Sequence, residues 1–131
     1  MTKRKNLHLT ISAIIITVVS LTYGLFPNNI LPKFFDFNVE SIDLKHVFRA
    51  TMGLYLAMVI LWVTGIFKQV HWRTATIANA FFMVGLSTGR IISLIIDGIP
   101  SISFSIGLAL ELTLAIWGII NLKNYRAHPY Q

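Results

Sequence analysis

Four predominantly apolar runs, each about 20 residues long, constrain the fold of this 131-residue chain more than any other feature. A helix of that length spans about 30 Å, the thickness of the hydrocarbon core of a bilayer. The runs cover residues 7–26, 46–67, 75–96 and 102–122. They predict an all-α, integral membrane four-helix bundle that forms a single domain over residues 1–131, with an outer loop at residues 27–45.

The amount and placement of charge favour a membrane protein over a nucleic-acid-binding one. Only 12% of the residues are charged, about half the share found in soluble domains. The formal net charge is +6, and most of the basic residues flank the spans on one side if the spans alternate in direction. These are Lys3, Arg4, Lys5, Lys68, Arg73, Lys123 and Arg126. The positive-inside rule then predicts that both termini are cytoplasmic, and no nucleic-acid partner is expected.

Two features of the flanks bear on the topology. The first run follows basic residues, as the core of a secretory signal peptide would, but it is too long for such a core and lacks a small-x-small cleavage site. We therefore expect a retained transmembrane helix. Trp62, Trp72 and Trp117 fall toward the cytoplasmic ends of their spans, and this placement predicts an interfacial aromatic belt.

The breaks between the spans have the chemistry of turns. The short segment 97–101 contains Gly98, which suits a helix C-terminus, and Pro100, which cannot continue a helix; Ser101 or Ser103 can cap the next one. Because this connection is so short, spans three and four must be antiparallel neighbours. The 27–45 loop is apolar enough to lie on the outer interface or to fold over the mouth of the bundle.

Three ionisable residues, Arg49, Arg90 and Glu111, fall inside the apolar runs. A charge at mid-bilayer costs about 2.5 to 3.5 kcal/mol, so such residues usually face the bundle interior and have partners. Counted from the outer ends of their spans, they lie at depths of about 6, 10 and 15 Å. The sequence predicts that they converge in the outer half of the membrane, with Glu111 paired to Arg90.

Helical phase adds polar neighbours to these charges. Asn79, Met83, Leu86, Arg90, Ser93 and Asp97 share one face of the third span. His46 shares a face of the second span with Arg49, and Gly85 and Gly89 form a GxxxG motif that permits close approach of another helix. The predicted ligand-binding residues are Arg49, Arg90, Glu111, Asp97, His46 and Ser93. Guanidinium groups suit carboxylates and phosphates, so the expected ligand is a lipid-like or anionic small molecule.

A structural alternative stays open on the sequence. An Arg90–Glu111 pair, with Arg49 at the outer interface or against Asp97, would neutralise the buried charges without binding anything. The chain would then be a non-enzymatic accessory subunit of a larger membrane complex, or a homo-oligomer that associates through its GxxxG motif. The expected partners are therefore membrane lipids in the first interpretation and protein subunits in the second.

Catalytic chemistry has little support. The sequence has no HExxH, GxSxG or P-loop motif, and its histidines are not spaced for a metal. The absence of cysteine excludes disulfides, thiol nucleophiles and thiolate metal sites. We predict no enzymatic activity, no metal and no cofactor.

Several segments resemble a known family. They are residues 46–58 (HVFRATMGLYLAM), residues 85–101 (GLSTGRIISLIIDGIPS), the ELTL run beginning at Glu111, and the element containing Tyr23, Gly24, Leu25 and Pro27. Their patterns resemble the bacterial four-span family known as domain of unknown function 4345. The resemblance implies a multi-pass protein of a bacterial inner membrane. It assigns the motif positions to Arg49, Gly53, Tyr55, Gly89, Arg90, Asp97, Gly98, Pro100 and Glu111. It leaves the function of the chain open.

Overall fold

The structure is a computed structural model that describes residues 2–125, with side chains from Arg4 onward. Over this part the chain is helical and contains no strand. Its α-helices are α1 (Thr2–Gly24), α2 (Pro27–Phe34), α3 (Ile42–Phe67), α4 (Trp72–Ile96) and α5 (Ile102–Asn124). A short 3₁₀ turn at Gln69–His71 precedes α4. Arg126 and the Lys3 side chain, two members of the predicted basic flank, lie outside the described residues.

Four of these helices, α1, α3, α4 and α5, are long and apolar enough to cross a membrane. The predicted all-α, four-helix membrane fold is therefore confirmed. We call one end of the bundle the basic end, where α1 and α4 begin and α3 and α5 end. We call the opposite end, which carries residues 25–41 and 97–101, the loop end. The basic end carries Arg4, Lys5, Lys68, Arg73 and Lys123.

The helices form a ring in which α1 packs along α3, α3 along α4, and α4 along α5. The ring closes less tightly between α5 and α1. At the basic end, the Lys5 ammonium group donates a hydrogen bond to the Gln69 side chain at 3.0 Å and lies 4.3 Å from the centre of the Trp72 ring. These contacts join the start of α1 to the start of α4.

Two boundaries differ from the sequence expectation. Helix α3 begins at Ile42, four residues before the predicted span, because the Ser41 hydroxyl caps it by accepting a hydrogen bond from the Leu44 N–H at 3.1 Å. The predicted outer loop also contains a helix, α2, with proline at its start. Leu31 and Val39 anchor this segment, since their side chains are buried against the bundle.

The turn between α4 and α5 follows the prediction in part. Gly98 has a φ of 96°, a left-handed conformation that glycine adopts without strain. Ser101 occupies the N-cap position of α5, but its hydroxyl makes no capping hydrogen bond. The hydroxyl of Ser105 instead donates to the Ser101 carbonyl at 3.3 Å. The predicted cap by Ser101 or Ser103 is therefore wrong, because the Ser101 hydroxyl does not cap the helix and Ser103 lies inside α5.

The predicted tryptophan belt is also wrong for two of its three members. Trp62 and Trp72 are 0% and 3% exposed, so both lie inside the bundle. Trp62 packs edge-on against Phe82 with 5.4 Å between ring centres, and Trp72 packs against His8 at 6.3 Å. These two rings fill the interior of the basic end instead of marking its interface.

The GxxxG motif of α4 is not used inside the described chain. A methyl group added at Gly85 or Gly89 would meet nothing within 4 Å. The close helix contact lies elsewhere, at the basic end, where Gly65 of α3 abuts the side chain of Ala75. The α4 motif is thus left on an open surface of the bundle.

Candidate functional site

A buried ion pair joins α4 to α5 in the half of the bundle nearer the loop end. The Nε–H of Arg90 donates to both carboxylate oxygens of Glu111, at 3.0 and 2.9 Å. The Glu111 side chain is 8% exposed and that of Arg90 is 21% exposed. The predicted pairing of Glu111 with Arg90 is confirmed. It follows from the tight 97–101 turn, which makes the two helices antiparallel neighbours.

Helix α5 supplies a cradle for the Arg90 guanidinium. Its Cζ atom lies 5.0 Å from the centre of the Phe104 ring, within the range of a cation–π interaction. On the same helix, a methyl group at Gly107 would lie 3.7 Å from the Nη2 atom of Arg90. The missing side chain at Gly107 therefore lets the guanidinium lie close to the α5 backbone.

A cavity of about 90 Å³ lies on the inner side of the ion pair. It occupies the loosely closed part of the ring between α1 and α5, and Arg90 and Glu111 form its polar wall. Its remaining lining is mostly aromatic and aliphatic: Ile15, Ile16, Val19, Tyr23, Phe35, Tyr55, Met83, Phe104, Leu110 and Leu114 are among these residues. The segment after α2 covers this space, because the Phe35 ring packs 4.5 Å from the ring of Phe104.

A larger groove of about 350 Å³ lies on the other side of Arg90, along the outer surface of α4 and α5. Its polar lining residues are Arg90, Ser93 and Ser105. Leu94, Leu108 and Phe104 supply apolar walls, and Gly98 and Pro100 close it toward the loop end. Arg90 and Phe104 line both spaces and separate the cavity from the groove.

The guanidinium has hydrogen-bonding capacity left over. Only its Nε–H is engaged with Glu111, and the neutral Tyr23 hydroxyl is a further partner on the cavity side. The Nη atoms carry most of the N–H donors of an arginine, arranged in a planar fork that matches a carboxylate or a phosphate. Arg90 can therefore hold Glu111 and an anionic group at the same time.

The structure brings together only some of the residues predicted for this site. Ser93 lines the groove beside Arg90, and its hydroxyl donates to the exposed Asp97 carboxylate at 2.6 Å. Arg49 and His46 are exposed on α3 and line neither the cavity nor the groove. The predicted convergence of Arg49 on the Arg90–Glu111 pair is absent, because the inward face of α3 carries Tyr55 and Trp62 instead.

Aromatic residues of the site were not among the predicted site residues. Tyr23 and Tyr55 are buried, with their rings 6.1 Å apart, and both line the cavity. Phe104 and Phe35 also line the cavity. Aromatic residues near span ends are usually interfacial, so composition gives no sign that these rings enclose a space.

The fold and the ion pair define a class: a multi-pass membrane protein that is helical over the described residues, where an arginine–carboxylate pair lies next to a cavity and a lateral groove. Within this class the chain belongs to the family described as "Domain of unknown function (DUF4345)", whose family model matches residues 5–122. A search of curated proteins and a search of solved structures gave no match.

Proposed function

We propose that this chain is a multi-pass protein of a bacterial inner membrane that binds a lipid-like anionic ligand in the groove between α4 and α5. Arg90 binds the carboxylate or phosphate of the ligand through its Nη groups, while Glu111 holds the guanidinium in place. The basic end faces the cytoplasm in this proposal, because Lys and Arg are concentrated there. The loop end and the groove then face the opposite side.

One observation carries the proposal: Glu111 bonds only the Nε–H of Arg90 and leaves the Nη groups for another partner. Over residues 2–125 the Nη donors of this part-buried guanidinium therefore have no charged partner. Among the described residues the other acceptors beside the guanidinium are neutral hydroxyl groups, that of Tyr23 in the cavity and those of Ser93 and Ser105 in the groove. An anionic group in the groove would satisfy the Nη donors with charge-assisted hydrogen bonds.

The lining of the groove favours an amphiphile over a small free anion. Ser93 and Ser105 add hydroxyl groups next to Arg90, whereas Leu94 and Leu108 are apolar. A ligand with an anionic head group and an acyl chain matches both surfaces at once. The groove also lies on the outer surface of two membrane-spanning helices, so such a ligand can enter laterally from the bilayer.

The alternative is that the ion pair is purely structural, as in an accessory subunit. The engagement of both Glu111 oxygens by one Nε–H supports a structural contribution. That contribution and ligand binding are compatible, because they use different edges of the guanidinium. The two roles can be separated by a substitution that keeps a positive charge opposite Glu111 but removes the planar Nη groups.

Arg90→Lys is that substitution. A lysine keeps the positive charge opposite Glu111 but has no planar fork for a bidentate contact. The full chain is extracted in a mild detergent, mixed with phosphatidylglycerol or phosphatidylcholine, and examined by native mass spectrometry. We expect retained phosphatidylglycerol on the wild type and a clear loss of it on Arg90→Lys, with little change in the melting temperature.

Arg49→Lys is the matched control, because Arg49 is an exposed arginine of the same half of the bundle that lines neither space. This variant should retain the anionic lipid as the wild type does. Equal retention of the lipid by Arg90→Lys and wild type would contradict the proposal. So would a wild type that does not discriminate between the anionic and the zwitterionic lipid.

A further inference from the structure

A second polar cluster lies inside the basic end, away from the Arg90 site. His8, Ser12 and Asn79 are each fully buried, and Asn121 is 6% exposed. They come from α1, α4 and α5. Buried polar side chains within membrane spans normally have hydrogen-bond partners, because the surrounding lipid supplies none. Each polar atom of this cluster is therefore expected to have a hydrogen-bond partner.

The His8 Nδ1 has two neighbours of opposite character. It lies 3.1 Å from the Lys5 carbonyl oxygen, which can only accept, and 2.7 Å from the Asn121 Nδ2, which can only donate. Each neighbour fits one tautomer of the neutral imidazole. In both tautomers the Nε2 is the other polar atom of the ring, and it needs a partner of its own.

Four buried polar atoms of this cluster have no hydrogen-bond partner over residues 2–125. They are the His8 Nε2, the Ser12 Oγ, and the Nδ2 and Oδ1 of Asn79. Together they offer donors and an acceptor within one level of the bundle. Ser12 is one helical turn from His8 on the same face of α1. Such a set is left unsatisfied only rarely in folded proteins.

Gly118 leaves a space beside these atoms. A methyl group at this position would lie 3.6 Å from the Asn79 Oδ1 and 3.8 Å from the His8 Cδ2, the carbon bonded to Nε2. Those are ordinary contact distances, so the space holds a group of about the size of a methyl. A water molecule has nearly the same size, and it needs two to four polar partners.

We propose that the His8–Ser12–Asn79 cluster is an internal water site and that the missing side chain of Gly118 makes room for the water. The water shares a hydrogen bond with the His8 Nε2, as its acceptor or its donor according to the ring tautomer, and donates to the Asn79 Oδ1. Ser12 and the Asn79 amide group complete its coordination. This site is independent of the ligand proposed for the groove at Arg90.

Gly118→Ala tests the site, because the added methyl fits the space without a steric clash but displaces the water. The control is Gly53→Ala, a mid-helix glycine whose added methyl meets nothing. Both changes give the same gain in helix propensity. We expect a lower melting temperature for Gly118→Ala than for Gly53→Ala in detergent. A Gly118→Ala protein at least as stable as the control would overturn the proposal.

A second measurement detects the water directly, starting from the unaltered chain. With isotope-labelled histidine, NMR should show a cross-peak between water and the Nε2 side of the His8 ring, at its Cδ2–H, which both tautomers carry. Loss of the signal in His8→Gln assigns it. The same cross-peak should vanish in Gly118→Ala and persist in Gly53→Ala. Absence of the cross-peak in the wild type, or its persistence in Gly118→Ala, would overturn the assignment.

Discussion

At the scale of single residues, the Arg90 guanidinium is divided between the fold and the space around it. Its Nε–H edge holds the Glu111 carboxylate, and its Nη edge borders the cavity and the groove. Taking both charges out of water is costly, and their attraction compensates only when the geometry is good. Glu111 therefore offsets the cost of burying Arg90 in the bundle, and it also fixes the direction in which the Nη edge of the guanidinium points.

Glu111→Gln should destabilise the protein substantially. The change leaves the guanidinium of Arg90 in the bundle without a counter-charge, and removing one partner of a buried ion pair costs about 3 kcal/mol or more. We expect a large fall in the melting temperature measured by thermal unfolding in detergent. Asp97→Asn is the control, since this exposed carboxylate bonds only Ser93 among the described residues. Equal melting temperatures for the two variants would show that the pair adds no stability.

The sequence predicts this pair but not the position of Arg49, and the difference has a geometric cause. A short turn makes α4 and α5 antiparallel neighbours, so Arg90 and Glu111 can be matched by depth alone. For α3, helical phase shows which residues share a face but not which face is inward. Arg49 lies about 120° around the helix from the buried Tyr55, and only the packing of α3 on α1 reveals this.

The polar cluster of the basic end was not predicted, for a different reason. His8, Asn79 and Asn121 carry no fixed charge, so the energetic cost of a charge in the bilayer does not single them out. Helical phase placed Asn79 on the Arg90 face, but not beside His8. Their signal was present nonetheless: two asparagines and a histidine interrupt three apolar runs near the same end. Asparagine and histidine near the same end of several apolar runs therefore indicate a buried polar cluster.

At the scale of helices, the contact between α3 and α4 depends on one glycine. Gly65 abuts the Ala75 side chain, and Trp62 and Trp72 pack nearby inside the bundle. Toward the loop end, Gly53 and Gly85 have open space beside them. The two helices therefore pack closely at the basic end, where small residues let their backbones approach.

Gly65→Ala should weaken the close packing of α3 on α4. The new methyl would overlap the Ala75 side chain, and neither residue can move away without shifting a helix backbone. Overpacking of this kind costs about 1 to 3 kcal/mol, so thermal unfolding should occur at a lower temperature. Gly53→Ala is the matched control on the same helix and should unfold at or slightly above the wild-type temperature. A Gly65→Ala protein that follows the control would mean that α3 and α4 are not tightly packed here.

The long helices could be predicted from the apolar runs, but their ends and the α2 helix could not. Apolar length reports the part of a helix that crosses the bilayer, whereas α3 continues to Ile42 because Ser41 caps it. The 27–45 segment is apolar and begins with a proline, a pattern equally typical of a loop. Its fold depends on Leu31 and Val39 finding a buried surface, which is a tertiary effect.

At the scale of the whole molecule, polar and apolar levels alternate along the bundle axis. The water site lies at the level of Ser12 and Gly118 near the basic end. One turn further along the same helices lies an apolar layer, defined as Ile16, Met83 and Leu114, each no more than 4% exposed. This layer also lines the cavity below the Arg90–Glu111 pair. Gly118 and Glu111 are seven residues apart on α5, so about 10 Å, or two helical turns, separates the two polar regions.

Met83→Ser should connect the two polar regions. Met83 is fully buried, and a serine there would replace a long apolar side chain by a short hydroxyl between Asn79 and Ser87. Water can then bridge the layer, so proteoliposomes with an imposed pH difference and an internal pH dye should leak protons faster than with wild type. Met58→Ser is the control, since Met58 lies at a similar depth on α3 but does not line the cavity. Equal leak rates for both variants would show that the layer is not the barrier.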